Sequence, residues 1–245
     1  MLKLAVFDLD GTLAPPGKSV AGSVARRLRE LEARGLWIAI ASGKDYEYLL
    51  SQAEKVGLRN ALIIAENGCI VFSRDLALRP LAQLSGVSRL SPDLYQLHDK
   101  PVDALLVMKE MDRRYGDSIR LEINLVEVTI FPRDRARIAE IATVASRFAS
   151  KNLTVVAHDD AVDVIPSEID KGEALSRIQT VLKIGPEETV SVGNSRNDLP
   201  MFGKSGVSYV VGNEIRYKGA LRFSTVIQIL DDILNRTADQ RLPRR

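Results

Sequence analysis

The stretch that decides the fold is LKLAVFDLDGTLAPP, residues 2–16. Leu2 to Phe7 form an apolar, β-prone run, which is typical of a strand buried on both faces of a parallel sheet. Two carboxylates follow, Asp8 and Asp10, and in an extended segment residues two apart point the same way. Because open α/β sheets bind ligands at the carboxyl ends of their strands, this pattern predicts a site here.

Two neighbouring carboxylates are costly to bury unless a cation or a shared proton compensates them. A hard divalent ion with oxygen ligands is the natural compensation. An Asp-Gly turn after a strand is the simpler interpretation of Asp10-Gly11, because such turns are common. The whole string DLDGTL after an apolar strand favours the cation site over the turn.

Composition narrows the class of protein. The chain has 245 residues, enough for one large domain or two small ones. Its net charge of +2 with 27% charged residues predicts no nucleic-acid partner and no membrane partner. The basic end, RLPRR, is expected to be a solvated tail. The one cysteine, Cys69, allows no internal disulfide and is expected in the core. No signal-peptide or membrane-spanning pattern is present, so we expect a cytoplasmic protein.

Strand and helix patterns alternate at both ends of the chain, which predicts an α/β fold with a doubly wound, mainly parallel, Rossmann-like sheet. The predicted strands are 2–7, 37–41, 61–65, 69–72, 189–192 and 209–211, and the predicted helices are 19–34, 45–56, 172–182 and 225–235. Asn67-Gly68 between two β-prone runs indicates a hairpin.

The middle of the chain has a different order of predicted elements, because its strands no longer alternate with helices. Helices are predicted at 102–115 and 133–150, one long strand or two at 119–131, and short strands at 153–157 and 161–165 around the turn His158–Asp160. This pattern favours an antiparallel sheet with helices on one side. We therefore predict a catalytic core from residues 1–78 and 165–245, and an inserted α/β cap at 79–164.

Ser42-Gly43 and Lys171 also stand beside predicted strand ends or helix starts. A small hydroxyl and free backbone amides at a helix entrance make a phosphate seat, although Ser42 could be an ordinary N-cap. Lys171 can reach into the cleft and neutralise a phosphoryl group, although it could equally be a solvated surface lysine.

The string GNSRND, residues 193–198, follows the predicted strand 189–192. Its polar oxygens can complete a metal site, or it can be an Asx-rich turn in which Asp198 caps a helix. An acid pair, a hydroxyl, a lysine and a second acidic loop, in this order, describe phosphoryl transfer through an aspartyl intermediate.

At these positions the sequence resembles the haloacid dehalogenase superfamily of phosphatases. DLDGT resembles the first motif, Ser42 the second, Lys171 in DKGEAL the third, and GNSRND the fourth. The resemblance covers both core segments, about two-thirds of the chain. The insert resembles the large α/β cap of the sugar-phosphatase branch. The strings IIAENG and DVIPSEIDKG are similar to archaeal phosphoglycolate phosphatases and mannosyl-3-phosphoglycerate phosphatases.

The resemblance implies a Mg²⁺-dependent phosphomonoester hydrolase for a small phosphorylated metabolite, phosphoglycolate or a sugar phosphate. Asp8 would be the nucleophile, and Asp10 the general acid and then the base. The implied substrate-binding residues are Ser42, Gly43 and Lys171, and the implied Mg²⁺ ligands are Asp8, Asp10 through its backbone carbonyl, Asn194 and Asp198.

Asn194 departs from the family pattern, which usually has Asp there. An Asn carbonyl oxygen can still bind the metal, but the site loses one negative charge. At an effective dielectric of about 20, that charge about 4 Å from a dication is worth roughly 8 kcal/mol before desolvation. We expect weaker Mg²⁺ binding rather than its loss.

Two other functions stay open at this point. A phosphomutase of the same superfamily would return the phosphoryl group to a sugar, and a catalytically weak binding protein could use the same scaffold. His98 and His158 lack metal-ligand spacing and are expected in surface or turn positions. The expected partner is a small phosphorylated substrate, and a homodimer is left open.

Overall fold

The structure, a computed structural model, describes residues 1–158 and 160–238. Asp159 of the predicted turn and the basic tail Arg241–Arg245 lie outside the described residues. No helix in the described ranges is long and apolar enough to cross a membrane.

Strands and helices follow the predicted order along most of the chain. The strands are β1 Leu4–Asp8, β2 Trp37–Ala41, β3 Leu62–Ala65, β4 Ile70–Phe72, β5 Ser88–Ser91, β6 Leu94–Gln96, β7 Ile119–Ile123, β8 Val128–Pro132, β9 Leu153–Ala157, β10 Val162–Pro166, β11 Thr189–Gly193, β12 Val207–Val211 and β13 Leu221–Phe223. The helices are α1 Gly22–Ala33, α2 Tyr46–Val56, α3 Val102–Tyr115, α4 Ile138–Phe148, α5 Lys171–Leu182, α6 Leu199–Phe202 and α7 Val226–Arg236.

The larger sheet has nine strands in the order β13-β12-β11-β1-β2-β3-β4-β6-β5. From β13 to β3 neighbouring strands run parallel, and the β3-β4, β4-β6 and β6-β5 pairs are antiparallel. All five residues of β1 are buried, as expected for a strand covered on both faces. The mainly parallel α/β sheet predicted from the sequence is confirmed.

The order of the strands in the large sheet determines where the candidate site lies. The chain winds from β1 towards β2 and β3 on one side, and from β11 towards β12 and β13 on the other. Ligands bind outside the carboxyl ends of the strands at such a switch point. Asp8 is paired with Ala41, the residue before Ser42, so the two predicted site segments end at the same level.

Helices cover the large sheet in two groups. Helix α1 packs against α2 and α7, whereas α5 packs against α6. The continuous apolar core between these layers includes Phe7, Trp37 and Cys69, of which Phe7 and Cys69 have no exposed surface. The core position expected for Cys69 is therefore confirmed.

The smaller sheet is antiparallel, in the order β7-β8-β10-β9, and α3 and α4 pack on one face of it. Alternate residues on that face, Val128 and Ile130 among them, build a second apolar core. The residues between them point to the opposite face, where Glu127 and Asp163 contact the catalytic side of the protein. The predicted architecture of the insert, helices on one side of an antiparallel sheet, is present.

Strands β5 and β6 are the main difference from the sequence prediction. They lie inside the range 79–164 predicted for the cap, yet β6 pairs with β4 of the large sheet. Leu97 also donates its N–H to Cys69 O at 2.7 Å. We infer that the inserted unit begins after this point and extends through β10. The β-rich stretch 119–131 forms two strands rather than one.

Candidate active site

The centre of the candidate site is a buried lysine between two buried carboxylates. Asp8 ends β1, Lys171 begins α5, and Asp198 lies in the loop after β11. Lys171 Nζ donates to Asp8 Oδ1 at 2.7 Å and to Asp198 Oδ1 at 2.8 Å. Lys171 is 1% exposed, so the alternative of a solvated surface lysine is wrong. Three predicted site residues from distant parts of the chain are thus brought together.

The charges of this group do not balance. Burial and, to a smaller extent, the neighbouring Asp198 raise the pKa of Asp8, Lys171 opposes both, and the resulting pKa is about 7. Burial by itself would lower the pKa of Lys171, but the two carboxylates raise it above its usual value. The ammonium therefore stays charged, while Asp8 needs another cation to be fully ionised at neutral pH.

Asp198 shapes the loop 193–198. Its Oδ2 accepts hydrogen bonds from the backbone N–H groups of Asn194 (2.9 Å) and Ser195 (3.0 Å), and from Ser195 Oγ (3.2 Å). Its other oxygen accepts from Lys171, so both oxygens already have partners. Direct metal binding by Asp198 stays a prediction, and its observed contacts hold the loop and the lysine in place.

Asn194 faces the nucleophile segment. Its Oδ1 accepts a hydrogen bond from Thr12 Oγ1 at 3.0 Å. The same side-chain atom lies 3.2 Å from Asp8 Oδ2 and 3.3 Å from the carbonyl oxygen of Asp10. Gly11 makes this approach feasible, because its φ is +81° and an added Cβ would lie 2.4 Å from the Asn194 amide. Position 11 therefore requires glycine.

These contacts test whether the residues fit a divalent cation. With the Asn194 oxygen facing Asp8, three oxygens lie close together: Asn194 Oδ1, Asp8 Oδ2 and the carbonyl oxygen of Asp10. No hydrogen lies between Asn194 Oδ1 and either of the other two, so a cation bound among them would stabilise the arrangement. Turning the amide would instead let its nitrogen donate to Asp8 and to Asp10 O. The spacings of 3.2 and 3.3 Å are close to the ~3.0 Å edge of an octahedron with ligands at ~2.1 Å, the preferred geometry of Mg²⁺.

The donor set fits Mg²⁺ only if an amide and a backbone carbonyl take part. No group of three or more His, Cys, Asp or Glu side chains suited to a metal occurs in residues 1–158 and 160–238. Asp8, Asp10 through its carbonyl and Asn194 would be the residues that hold the ion. This set carries one carboxylate charge, and the weaker Mg²⁺ binding expected from Asn194 stays a prediction.

Ser42 follows β2 and is buried. Asp45, not Ser42, caps helix α2, because its side chain accepts from Tyr48 N. The alternative of Ser42 as an N-cap is therefore wrong. Its hydroxyl accepts from Lys44 N at 3.3 Å, which orders the turn that starts at Gly43. The role of Ser42 and Gly43 as a phosphate seat stays a prediction.

Asp10 lies beyond the strand. Because β1 ends at Asp8, the extended spacing that was expected to align the two carboxylates does not apply. Asp10 is half-buried, and its Oδ1 accepts from Gly17 N at 3.0 Å. This bond fixes the carboxylate to the following loop, and the acid–base role of Asp10 stays a prediction.

Sequence reasoning missed the polar residues that join the cap to this site. Asn67 Nδ2 donates to Asp163 Oδ2 at 2.8 Å and to Glu127 Oε2 at 3.1 Å. His158 Nε2 lies 2.9 Å from Asp163 Oδ2, so this histidine contacts the cluster from the expected turn. An added Cβ at Gly43 would lie 3.2 Å from Asp163 Oδ2, which brings the cap to the second motif. The available signal was the polar string Glu66-Asn67 directly after a buried strand.

Comparisons with known proteins show the family to which the chain belongs. The model of the haloacid dehalogenase-like hydrolase family matches residues 5–85 and 94–217. A phosphoglycolate phosphatase of Halorubrum lacusprofundi is 28% identical over 97% of this chain and 95% of its own. One of Methanopyrus kandleri is 31% identical over 87% of this chain and 85% of its own. The crystal structure of a Thermoplasma acidophilum protein shares the fold, with a TM-score of 0.76, 16% identity and coverage of 97% of this chain and 99% of that one. The protein therefore belongs to the haloacid dehalogenase-like hydrolases, the family that its four short motifs predict.

Proposed function

We propose that this phosphatase is a Mg²⁺-dependent phosphomonoester hydrolase that acts on a small phosphorylated metabolite through an aspartyl-phosphate intermediate. The observation that supports this most directly is the buried Asp8–Lys171–Asp198 group at the end of the central strand. A carboxylate held against a cation, in a cleft where further charge must be neutralised, is suited to receive a phosphoryl group.

In the proposed first step, an Asp8 carboxylate oxygen forms a bond to phosphorus while the bond from phosphorus to the leaving oxygen breaks. Asp10 gives its proton to that oxygen, which departs as an alcohol. In the second step Asp10 takes a proton from water, and the water oxygen attacks the acyl phosphate. Inorganic phosphate leaves and the Asp8 carboxylate is restored, so protons and electrons balance.

Charge neutralisation is the second requirement of this chemistry. Lys171 lies at the nucleophile and lowers the repulsion between the carboxylate and the anionic phosphate. When bound by Asp8, Asp10 O and Asn194, Mg²⁺ would supply the remaining positive charge and orient the phosphoryl oxygens. Ser42 and the backbone at Gly43 would bind the other oxygens.

Phosphoglycolate is the first substrate to test, because the two relatives described above carry the name phosphoglycolate phosphatase. Sugar phosphates are the second class, as the cap resemblance suggests. Purified protein would be incubated with a panel of both classes, with Mg²⁺ and with excess chelator, and released phosphate would be measured. Turnover that needs Mg²⁺ supports the proposal, and turnover that persists unchanged in chelator contradicts it.

Replacing Asp10 tests the acid–base step. We expect Asp10→Asn to keep the fold and the metal but to slow turnover by about 10²-fold or more, the usual contribution of general acid–base catalysis. Turnover of an aryl phosphate and the melting temperature would be measured together. A rate within a few-fold of wild type would show that Asp10 is only a ligand or a turn residue.

Replacing Asn194 tests the metal set. Asn194→Asp restores a carboxylate beside Asp8 and should tighten Mg²⁺ binding by about 10–100-fold, the scale on which metal-supporting groups act. Binding would be followed by calorimetric titration and by the Mg²⁺ concentration that gives half-maximal activity. Identical titrations of wild type and variant would mean that position 194 does not face the metal.

A further inference from the structure

The turn Glu66–Gly68, which joins β3 to β4, has an unusual backbone. The hairpin predicted at Asn67-Gly68 is present, since β3 and β4 pair antiparallel, but all three residues of the turn have positive φ: 49°, 52° and 108°. Two successive residues with side chains seldom adopt this region. Glu66 is also 1% exposed, which is rare for a glutamate. Such a conformation persists only where the surroundings hold it, and it concentrates at functional sites.

The backbone of the turn is held by the catalytic core. Glu66 N donates to Lys44 O at 3.0 Å, and Asn67 N donates to Ser42 O at 3.1 Å, so the turn is bonded to the Ser42 loop. Gly68 packs on the start of α5, where an added Cβ would lie 2.2 Å from Asp170 O. The turn therefore contacts the segments that carry two of the predicted phosphate-binding side chains.

The side chains of the turn are held by the cap. The Glu66 carboxylate accepts hydrogen bonds from three successive backbone N–H groups in the loop between β7 and β8. The donors are Leu125 (3.0 Å), Val126 (2.7 Å) and Glu127 (3.0 Å). The Asn67 amide donates to Glu127 at 3.1 Å and to Asp163 at 2.8 Å. One turn of the core thus binds both strand β10 and the loop between β7 and β8.

These bonds make a displacement of the cap unfavourable. Burial raises the pKa of Glu66, whereas the three amide donors and the nearby Lys100 ammonium lower it, so the carboxylate is tolerated in this dry position because the inserted unit supplies donors and positive charge. If the cap moves away, the carboxylate loses all three donors and meets water instead. Intermediate positions would leave buried polar groups unpaired, which is unfavourable. The contacts therefore favour one fixed position of the cap.

We propose that Glu66 and Asn67 are positioning residues that fix the cap against the phosphate loop, and so set where the leaving group of the substrate binds. They act on the reaction through the cap, since their side chains bond to cap residues and their backbones bond to the core. Asn67 holds Asp163 of the cap beside Gly43 of the second motif. The catalytic effect rests on the proposed function, whereas the fixed cap position does not.

The test uses Glu66→Gln in the full chain, because an amide keeps the size of the side chain and loses at least one acceptor for the cap amides. Glu30→Gln is the matched control, since Glu30 lies in α1 and makes an exposed ion pair with Arg34 at the end of that helix. Amide hydrogen exchange would be measured residue by residue. We expect exchange at Leu125–Glu127 to rise about 10-fold or more in Glu66→Gln only, with α3 and α4 as protected as in wild type.

The kinetic arm separates positioning from general damage. Glu66→Gln should raise KM for the phosphorylated substrate about 10-fold and change the affinity for inorganic phosphate less than about two-fold, because phosphate needs only the core. Unchanged exchange at Leu125–Glu127 would overturn the proposal, and so would an equal loss of affinity for phosphate and substrate. If wild type hydrolyses nothing, the exchange result still decides the cap contact.

A second variant keeps the test open if Glu66→Gln does not fold. Asn67→Asp retains a residue that tolerates positive φ but turns the donor into an acceptor facing Glu127 and Asp163. The same local increase in exchange is expected, because a third carboxylate beside Glu127 and Asp163 repels the inserted unit where the amide had bound it. Exchange that matches wild type would overturn the proposal.

Discussion

Asp8→Asn should abolish hydrolysis, with a loss of about 10⁴-fold or more, the scale observed when a covalent nucleophile is removed. An amide at this position cannot form an acyl phosphate. The substitution keeps the size of the side chain, and the amide oxygen can still accept the bond that Lys171 Nζ makes to Asp8 at 2.7 Å. The fold should therefore survive the change.

The control for this experiment is Asp231→Asn. It changes an exposed carboxylate of α7 that pairs with Arg27 of α1. Steady-state turnover of an aryl phosphate and of phosphoglycolate would be compared for both variants, with the melting temperature as a check on folding. Retention of wild-type turnover in Asp8→Asn would contradict the mechanism. Inactivity of Asp231→Asn would show that the assay reports folding rather than chemistry.

Lys171→Met should be the most destabilising of the changes considered. Methionine fills similar space but leaves Asp8 and Asp198 buried without their shared cation. Breaking a buried ion pair by removing one partner costs about 3–5 kcal/mol, because the remaining charge is uncompensated. Turnover should be lost as well, since the lysine neutralises the phosphoryl group in the proposed reaction.

The loss of stability should depend on pH with a definite sign. The pKa of Asp8 is already raised to about 7, and removal of the ammonium raises it further. A group whose pKa is higher in the folded state favours folding at low pH, and this contribution is lost as pH rises through the folded value. The deficit of Lys171→Met should therefore be larger at pH 8 than at pH 5.

Chemical unfolding at both pH values would measure this effect, with Lys55→Met in the exposed last turn of α2 as the control. An equal deficit at pH 5 and pH 8 would show that lost packing, rather than uncompensated charge, explains the change. Addition of Mg²⁺ should recover part of the deficit at pH 8, because the ion replaces some of the missing positive charge.

The sequence predicted the elements that carry strong periodicity or strong end signals. Strand β2 and helix α3 have the predicted bounds, because Trp37–Ala41 is continuously apolar and Val102–Tyr115 has apolar residues at helical spacing. The strands β5 and β6 were missed. Strand β5, Ser88–Ser91, is short, polar and exposed along its length. It forms because it pairs with β6, and its sequence has no hydrophobic pattern that would predict a strand.

For the site, sequence order identified side chains that the fold then brings together. Asp8, Lys171 and Asp198 are in contact because strand ends meet at one edge of the sheet. The contacts of the cap could not be predicted, since Asn67 and Asp163 are 96 positions apart and their pairing depends on how one domain lies on the other. Asn67-Gly68 predicted a turn but not what its side chains bind.

The most direct test of the central claim is to trap the phosphorylated enzyme. The protein would be mixed with substrate and Mg²⁺, quenched in acid during turnover, and reduced with borohydride, which converts an aspartyl phosphate to homoserine. Mass spectrometry of the peptide containing residues 4–13 would locate the change. We expect homoserine at position 8 in wild type and an unmodified peptide in Asp8→Asn. Turnover with Asp8 unmodified at every quench time, or modification at another carboxylate, would contradict it.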